Sequence, residues 1–218
     1  MKIKKTGPEA IVKHYEACFR EHGDSHAGVD WPDQADAAKR YEIMLRPSRG
    51  NPFPVIHDYG CGLGHLLGFM RDSSAESNFD YSGSDASKIF VEACRLKFPE
   101  IRFDQLSLIE GVYRHKHPGS NYDFIIANGV FTEKRELEHE EMWDYVKATL
   151  RYLFARAEVC LSVNFMSTHV DWERSDLFHL PVDALLEFCA NNLSRHVDIV
   201  SSYGLYEYTA HIYAEPNT

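Results

Sequence analysis

The sequence predicts an α/β fold: a doubly wound, mostly parallel sheet that closes on a C-terminal antiparallel hairpin and is preceded by a helical N-terminal segment. Three observations carry this. From Val55 onward, strand-like and helix-like stretches alternate, as they do when helices cover both faces of a parallel sheet. At the head of that alternation, V-I-H-D-Y-G-C-G-L-G-H over 55–65 joins a short strand ending in a carboxylate to a tight glycine turn and a helix-forming run. At the far end, two strand-like stretches flank a Tyr203-Gly204 turn and should pair as a hairpin.

The elements follow in order. Residues 8–21 place Ile11, Tyr15, Cys18 and Phe19 at helical spacing, and residues 32–45 do the same with Ala35, Ala38, Tyr41 and Leu45. Between them runs H-G-D-S-H-A-G-V-D-W-P, a polar, glycine-bearing loop that would expose Trp31 unless something covers it. A Pro/Gly connector at 49–54 leads to the first strand, ending at Tyr59. Helix 64–72, a strand ending at Asp85, helix 87–97 and a short strand at 101–104 come next. Strand 124–128, a long helix over 137–155, strand 158–165 and helix 181–193 continue the alternation. Strands over 196–202 and 205–214 form the hairpin and bring the sheet to seven strands. Residues 1–52 are therefore expected to form a helical lid and substrate segment on a compact 53–218 unit.

The glycine loop serves a nucleotide-type cofactor, because glycine lets backbone approach a ligand where a Cβ would collide. A dinucleotide site calls for G-x-G-x-x-G, and a carboxylate just before it would repel the phosphates. This chain has G-x-G-x-G at Gly60, Gly62 and Gly64, with Asp58 in that carboxylate position. A ligand carrying positive charge and no phosphate turns the acid into an asset. The next strand ends in Asp85, placed to accept hydrogen bonds from a ribose diol; the bland alternative is that Asp85 caps the helix beginning near Ser87. The apolar stretch Y-D-F-I-I-A-N-G-V-F over 122–131 reads as a buried strand with a polar turn.

In this order these residues resemble the motifs of the class I S-adenosylmethionine-dependent methyltransferases, over about residues 53–214. The resemblance implies a Rossmann-like seven-stranded sheet and S-adenosyl-L-methionine as cofactor. It implies that Asp58, Gly60, Cys61, Gly62 and Gly64 serve the methionine moiety, while Asp85 and Ala86 hold the ribose. Asn128 and Gly129 would lie beside the transferred methyl. The adenine contact falls among Asp104, Gln105 and Leu106, where F-D-Q-L replaces the Gly-Asp common in such families.

Methyl transfer to a hydroxyl or protonated amine calls for a base near the acceptor. His169 in T-H-V-D-W after the fifth strand, His26 in the similar H-A-G-V-D-W of the N-terminal loop, and Glu133 are the candidates, each equally open to a reading as an ordinary loop residue. Trp31, Asp30, Asn164, Asp171 and Trp172 are the candidate substrate-binding residues.

Composition bounds the partners. A chain of 218 residues with 44% apolar residues suits one domain with a full core. Its net charge of −10 disfavours a broad nucleic-acid footprint. No stretch approaches the roughly 20 apolar residues of a membrane span, and the lysines of M-K-I-K-K precede no apolar signal region, so a cytoplasmic protein is expected. The 5 cysteines are scattered without a C-x-x-C pair, and no metal site is indicated. His115-Lys-His117 reads as a solvated loop. The fourth strand ends in A-N-G-V-F rather than N-P-P-Y or D-P-P-Y, and no Pro-Cys dipeptide is present. By comparison with methylases of nucleic-acid bases and of glutamine, this leaves a small-molecule acceptor: a hydroxyl or amine of a sugar, metabolite or small acid, handled by a monomer or homodimer. A noncatalytic S-adenosylmethionine-binding module serving a protein partner is the alternative, with a nicotinamide oxidoreductase third.

Overall fold

The structure is a computed structural model that describes residues 7–31, 33–73, 78–115 and 121–217. Two helices come first, α1 (Glu9–His22) and α2 (Gln34–Met44), with a short 3-10 turn, Ala27–Val29, between them. The sheet begins with β1 (Val55–Tyr59), followed by α3 (His65–Ser73), β2 (Asp80–Asp85), α4 (Lys88–Lys97) and β3 (Arg102–Gln105). A small hairpin, β4 (Ser107–Ile109) and β5 (Val112–Arg114), precedes β6 (Tyr122–Ala127). Then come α5 (His139–Phe154), β7 (Ala157–Met166), α6 (Val182–Asn192), β8 (Val197–Val200) and β9 (Glu207–Tyr213).

Seven strands form one sheet in the order β3-β2-β1-β6-β7-β9-β8. The first five are mutually parallel, while β9 runs antiparallel to both β7 and β8. Chain order reverses between β1 and β6, and a crevice opens beyond the carboxyl ends of those strands. Both faces are covered, which is why β6 is buried along almost its whole length. One apolar layer joins Met142, Val146 and Leu150 of α5 to Leu185 and Phe188 of α6 and to α1 through Ile11. The other gathers Ala37 and Tyr41 of α2, Leu66 and Leu67 of α3, and Val91 and Cys94 of α4.

Local chemistry sets the helix ends. Asp33 accepts from the Ala35 amide at the start of α2, Ser87 from the Phe90 amide at the start of α4, and Glu138 with Glu141 makes a reciprocal cap on α5. Ser87, read above as the first helical residue of α4, is thus its N-cap. The β4–β5 hairpin was not anticipated: each arm has three residues, and its Glu110-Gly111 turn takes positive φ at both positions, as a two-residue turn between strands needs. The terminal pair is antiparallel as expected, with shorter strands and a longer connection around Gly204. All 5 cysteines are free, and no described helix is long and apolar enough to cross a membrane. The His115-Lys-His117 loop and the M-K-I-K-K start fall largely or wholly outside the described residues.

Candidate active site

A cavity of about 130 Å³ sits in the crevice at the order reversal. Its floor is Asp58, Tyr59 and the loop Gly60–Leu63, with Asp85 and Ala86 on one side and Asn128, Gly129 and Val130 on the other. The roof comes from the N-terminal segment: Ile11, Val12 and Tyr15 of α1, then Val29 and Trp31. Leu106 and Tyr113 from the small hairpin region, Phe90 of α4 and Tyr145 of α5 complete the wall.

The glycine loop is closely fitted. Gly60 has φ +77, and a Cβ there would come within 2.6 Å of Val130 Cγ2, so no larger residue fits between β1 and the turn after β6. Four amides of the segment are already committed. Those of Gly60 and Cys61 donate to the Ser84 carbonyl, that of Gly62 to Asp85 Oδ2 at 3.0 Å, and that of Gly64 to the Cys61 carbonyl.

The cavity wall is mainly apolar and aromatic, and three acceptors stand out on it: Asp58, Asp85 and Asn128. Asp58 is buried and receives a 2.7 Å hydrogen bond from the Tyr81 hydroxyl, while burial pushes its carboxyl up to about 7, with the Asp85 charge adding to the shift. Asp85 accepts from the Ser87 and Gly62 amides, and burial raises it to about 6 against those bonds. It ties the loop to the residue that opens α4, but the cap of that helix is Ser87 rather than Asp85. Asn128 Oδ1 is buried with no hydrogen-bond partner among the described residues. Two carboxylates that resist ionisation and an orphaned amide oxygen suit a ligand that brings positive charge and hydroxyl donors. The phenols remain protonated: burial holds Tyr15, Tyr41 and Tyr113 well above the usual range and Tyr145 at about 12. They offer donors rather than bases.

The expected residues divide clearly. Asp58, Gly60, Cys61, Gly62, Asp85, Ala86, Leu106, Asn128, Gly129 and Trp31 meet at the cavity. Gly64 instead faces Phe98 and Cys94, Asp104 pairs with Arg102 at 2.7 Å, and Gln105 is exposed at the end of its strand. Leu106 alone of that trio reaches the wall, because β3 ends at Gln105 and the chain turns inward there.

None of the candidate bases lines the cavity. His169, Asp171 and Trp172 are exposed, since the loop after β7 turns outward and stacks Trp172 edge-on against Tyr206. His26 caps the 3-10 turn through its backbone carbonyl. Glu133 is buried beside the loop, held by Arg135 at 3.2 Å, and burial raises its carboxyl. Asp30 pairs with His14 at 2.7 Å. Asn164 is fully buried; its Oδ1 accepts from the Gly129 amide at 2.8 Å and its Nδ2 donates to Glu207, so it fixes the turn after β6 from behind. The sequence reading missed Tyr15, Tyr113 and Tyr145. Tyr15 stood in a helical stripe read as core, and the other two carried no local signal.

No family model matches the chain. It is 29% identical over 161 residues, 73% of this chain and 92% of the relative, to a Mycobacterium tuberculosis protein provisionally named as methyltransferase Rv1506c. Among solved structures, magnesium protoporphyrin IX methyltransferase from Synechocystis PCC 6803 with bound S-adenosylmethionine superposes with a TM-score of 0.63 at 16% identity, covering 98% of this chain and 100% of that one. An amino pentose methyltransferase from Micromonospora echinaspora, also with S-adenosylmethionine bound, gives 0.55 at 15% identity over 91% and 96%. Sheet order and superpositions agree: this chain has the fold of the class I S-adenosylmethionine-dependent methyltransferases.

Proposed function

We propose that the protein binds S-adenosylmethionine in this cavity and transfers its methyl group to a hydroxyl or amine of a small molecule. The observation that supports the reading is the grouping of three acceptors, Asp58, Asp85 and the orphaned Asn128 Oδ1, beside the glycine loop in an otherwise apolar wall. Asp58 and Asn128 would receive the ammonium of the methionine moiety. Asp85 would receive the ribose diol, and Ala86, Phe90 and Leu106 would flank the adenine. The bound cofactor supplies a methyl on a cationic sulfur.

The chain's own residues then exclude water and align the nucleophile, which can supply much of the acceleration for an in-line displacement. Trp31, Tyr15, Tyr113 and Tyr145 form the acceptor side of the wall. The named relatives act on an amino pentose and on a porphyrin, and an aromatic-lined pocket in an acidic chain fits a small acceptor of that general kind better than a nucleic acid. Glu133 is the candidate base that stays near the site, as part of the turn after β6. Residues 7–31 act as its lid. The test is incubation with methyl-labelled donor and a fractionated metabolite pool. Label appearing in a small-molecule fraction supports the reading; S-adenosylhomocysteine bound in calorimetry without any transfer favours the noncatalytic alternative, and no binding ends both.

Two further outcomes are expected. The folded, ligand-free protein holds protons on Asp58 and Asp85 that the unfolded chain releases near the usual carboxylate range. Those two groups therefore lower its stability as pH rises from about 4 toward 7. A cationic ligand favours the ionised forms, so its affinity should climb between about pH 5 and 7 and level off above. Calorimetry in buffers of different ionisation heat should register proton release on binding at pH 6; no release would remove these carboxylates from the contact. Trp31 lies 3.2 Å from where a Cβ on Gly129 would sit and stacks on Tyr41. Its fluorescence should shift when S-adenosylhomocysteine binds, and Trp31→Phe should abolish that shift, since Trp143 and Trp172 do not line the cavity.

A further inference from the structure

Beside the roof of the cavity, three side chains of different chemistry converge where sequence spacing gave no sign of a metal. His14 and Cys18 lie one helical turn apart on α1, on the same face. Asp30, which precedes Trp31, reaches back from the loop in a left-handed conformation, φ 57. Its Oδ2 is 2.7 Å from His14 Nε2, Cys18 Sγ is 3.8 Å from the same nitrogen, and all three atoms lie within 4.8 Å of one another. No other such group occurs among the described residues.

We propose that His14, Cys18 and Asp30 form a binding site for a zinc-type divalent cation, with a fourth position open to water or a ligand. An imidazole nitrogen, a thiolate and a carboxylate form a donor set that zinc accepts and that magnesium or calcium does not favour. With metal–ligand bonds of about 2.0–2.3 Å, tetrahedral geometry separates neighbouring ligand atoms by roughly 3.3–3.8 Å. The Cys18–His14 spacing already meets that. The Asp30–His14 contact is a hydrogen bond, and the carboxylate must back away by about 0.6 Å as the metal replaces the shared proton. The site is reachable, because the His14 side chain keeps 21% and that of Asp30 37% of its exposure.

Binding has a definite proton balance. Cys18 releases its thiol proton to solvent as the S–metal bond forms, and His14 coordinates as the neutral imidazole through Nε2. Burial and the neighbouring Asp30 and Glu21 charges raise the Cys18 thiol, so the metal must displace that proton, while the nearby Arg135 eases its loss and opposes the cation. Once formed, the site would join α1 to the loop that carries Trp31. Metal occupancy would thereby fix the cavity roof without touching the cofactor-binding floor.

Cobalt(II) provides a direct probe. Added to the full-length, reduced protein free of any affinity tag, it should give tetrahedral visible bands and a near-ultraviolet thiolate-to-cobalt band, saturating at one equivalent and displaced by one equivalent of Zn2+. Cys18→Ser should lose the thiolate band, and His14→Ala and Asp30→Asn should each weaken cobalt binding at least tenfold. Cys61→Ser should leave the spectrum unchanged. Zn2+ should also raise the melting temperature of the parent chain and leave that of Asp30→Asn where it was. An absent cobalt spectrum, or a thiolate band that survives in folded Cys18→Ser, would overturn the proposal. Neither readout involves methyl transfer, so the site stands or falls apart from the enzymatic reading.

Discussion

Asp85→Ala will bind S-adenosylhomocysteine about a hundredfold more weakly than the parent chain. The expected loss has two sources. One is removal of the proposed acceptor for the ribose diol, since hydrogen bonds to a charged group contribute about 1.5–3 kcal/mol. The other is release of the loop, because Asp85 Oδ2 holds the Gly62 amide and Oδ1 the Ser87 amide. About 3 kcal/mol in total corresponds to a hundredfold change at 1.4 kcal/mol per tenfold. Asp85→Asn keeps one acceptor oxygen and should fall between the two. Calorimetry measures the affinity, and a parallel melt separates it from unfolding. Native affinity in a folded Asp85→Ala would move the ribose contact elsewhere.

Arg40→Met should be the most destabilising surface-derived change. Arg40 Nε meets Glu207 Oε1 at 2.7 Å, and Glu207 is only 2% exposed. The other carboxylate oxygen accepts from Asn164, whose amide oxygen in turn holds Gly129. Burial already raises Glu207, with Arg40 acting in the opposite direction, so removing the guanidinium leaves a buried charge uncompensated. Breaking such a pair costs about 3–5 kcal/mol when both partners are buried; Arg40 keeps 18% exposure, which reduces the expectation to about 2–4 kcal/mol. The sign with pH is fixed by the raised carboxyl. Glu207 can fold as the neutral acid at low pH, so the penalty should shrink toward pH 5 and grow toward pH 8. Arg40→Met with Glu207→Gln should recover much of the loss, and equal penalties at both pH values would show that the ion pair is not its source.

How much of this was legible in advance follows from the range of each signal. The glycine loop, Asp58 and Asp85 could be read because strand, turn and helix are contiguous, and the steric demand on Gly60 is met by Val130 through the neighbouring β6 in a fixed order. Asn128 could be placed because it directly follows the apolar run over 124–127 that ends β6. Tyr113 and Tyr145 could not, since one sits on a three-residue strand and the other on the inward face of a helix where a phenol reads as ordinary packing. His169 was misplaced for a related reason. Sequence order puts it just after β7, at the correct end of the sheet, but nothing local tells a loop to turn outward. The post-β7 segment instead crosses back, with Phe178 bonding to Thr132 and Leu180 to Met166, leaving His169 in solvent. The amide of Asn164 is consumed by protein on both sides, so it sets the Gly129 turn from behind rather than facing the cavity.

The N-terminal loop over the cavity is tied to the body at its edge by Asp24, which bridges His65 of α3 and Lys97 of α4, and α1 is tied by Glu16 to Ser87. For a ligand seated under that cover as proposed above, departure is expected to wait on these ties. The Asp24 contacts are half in solvent and screened by salt, whereas the interactions beneath the cover are sheltered from it. Ionic strength thus becomes a handle on residence time more than on fit: raised salt should speed the dissociation of S-adenosylhomocysteine more than it changes the contacts at the floor.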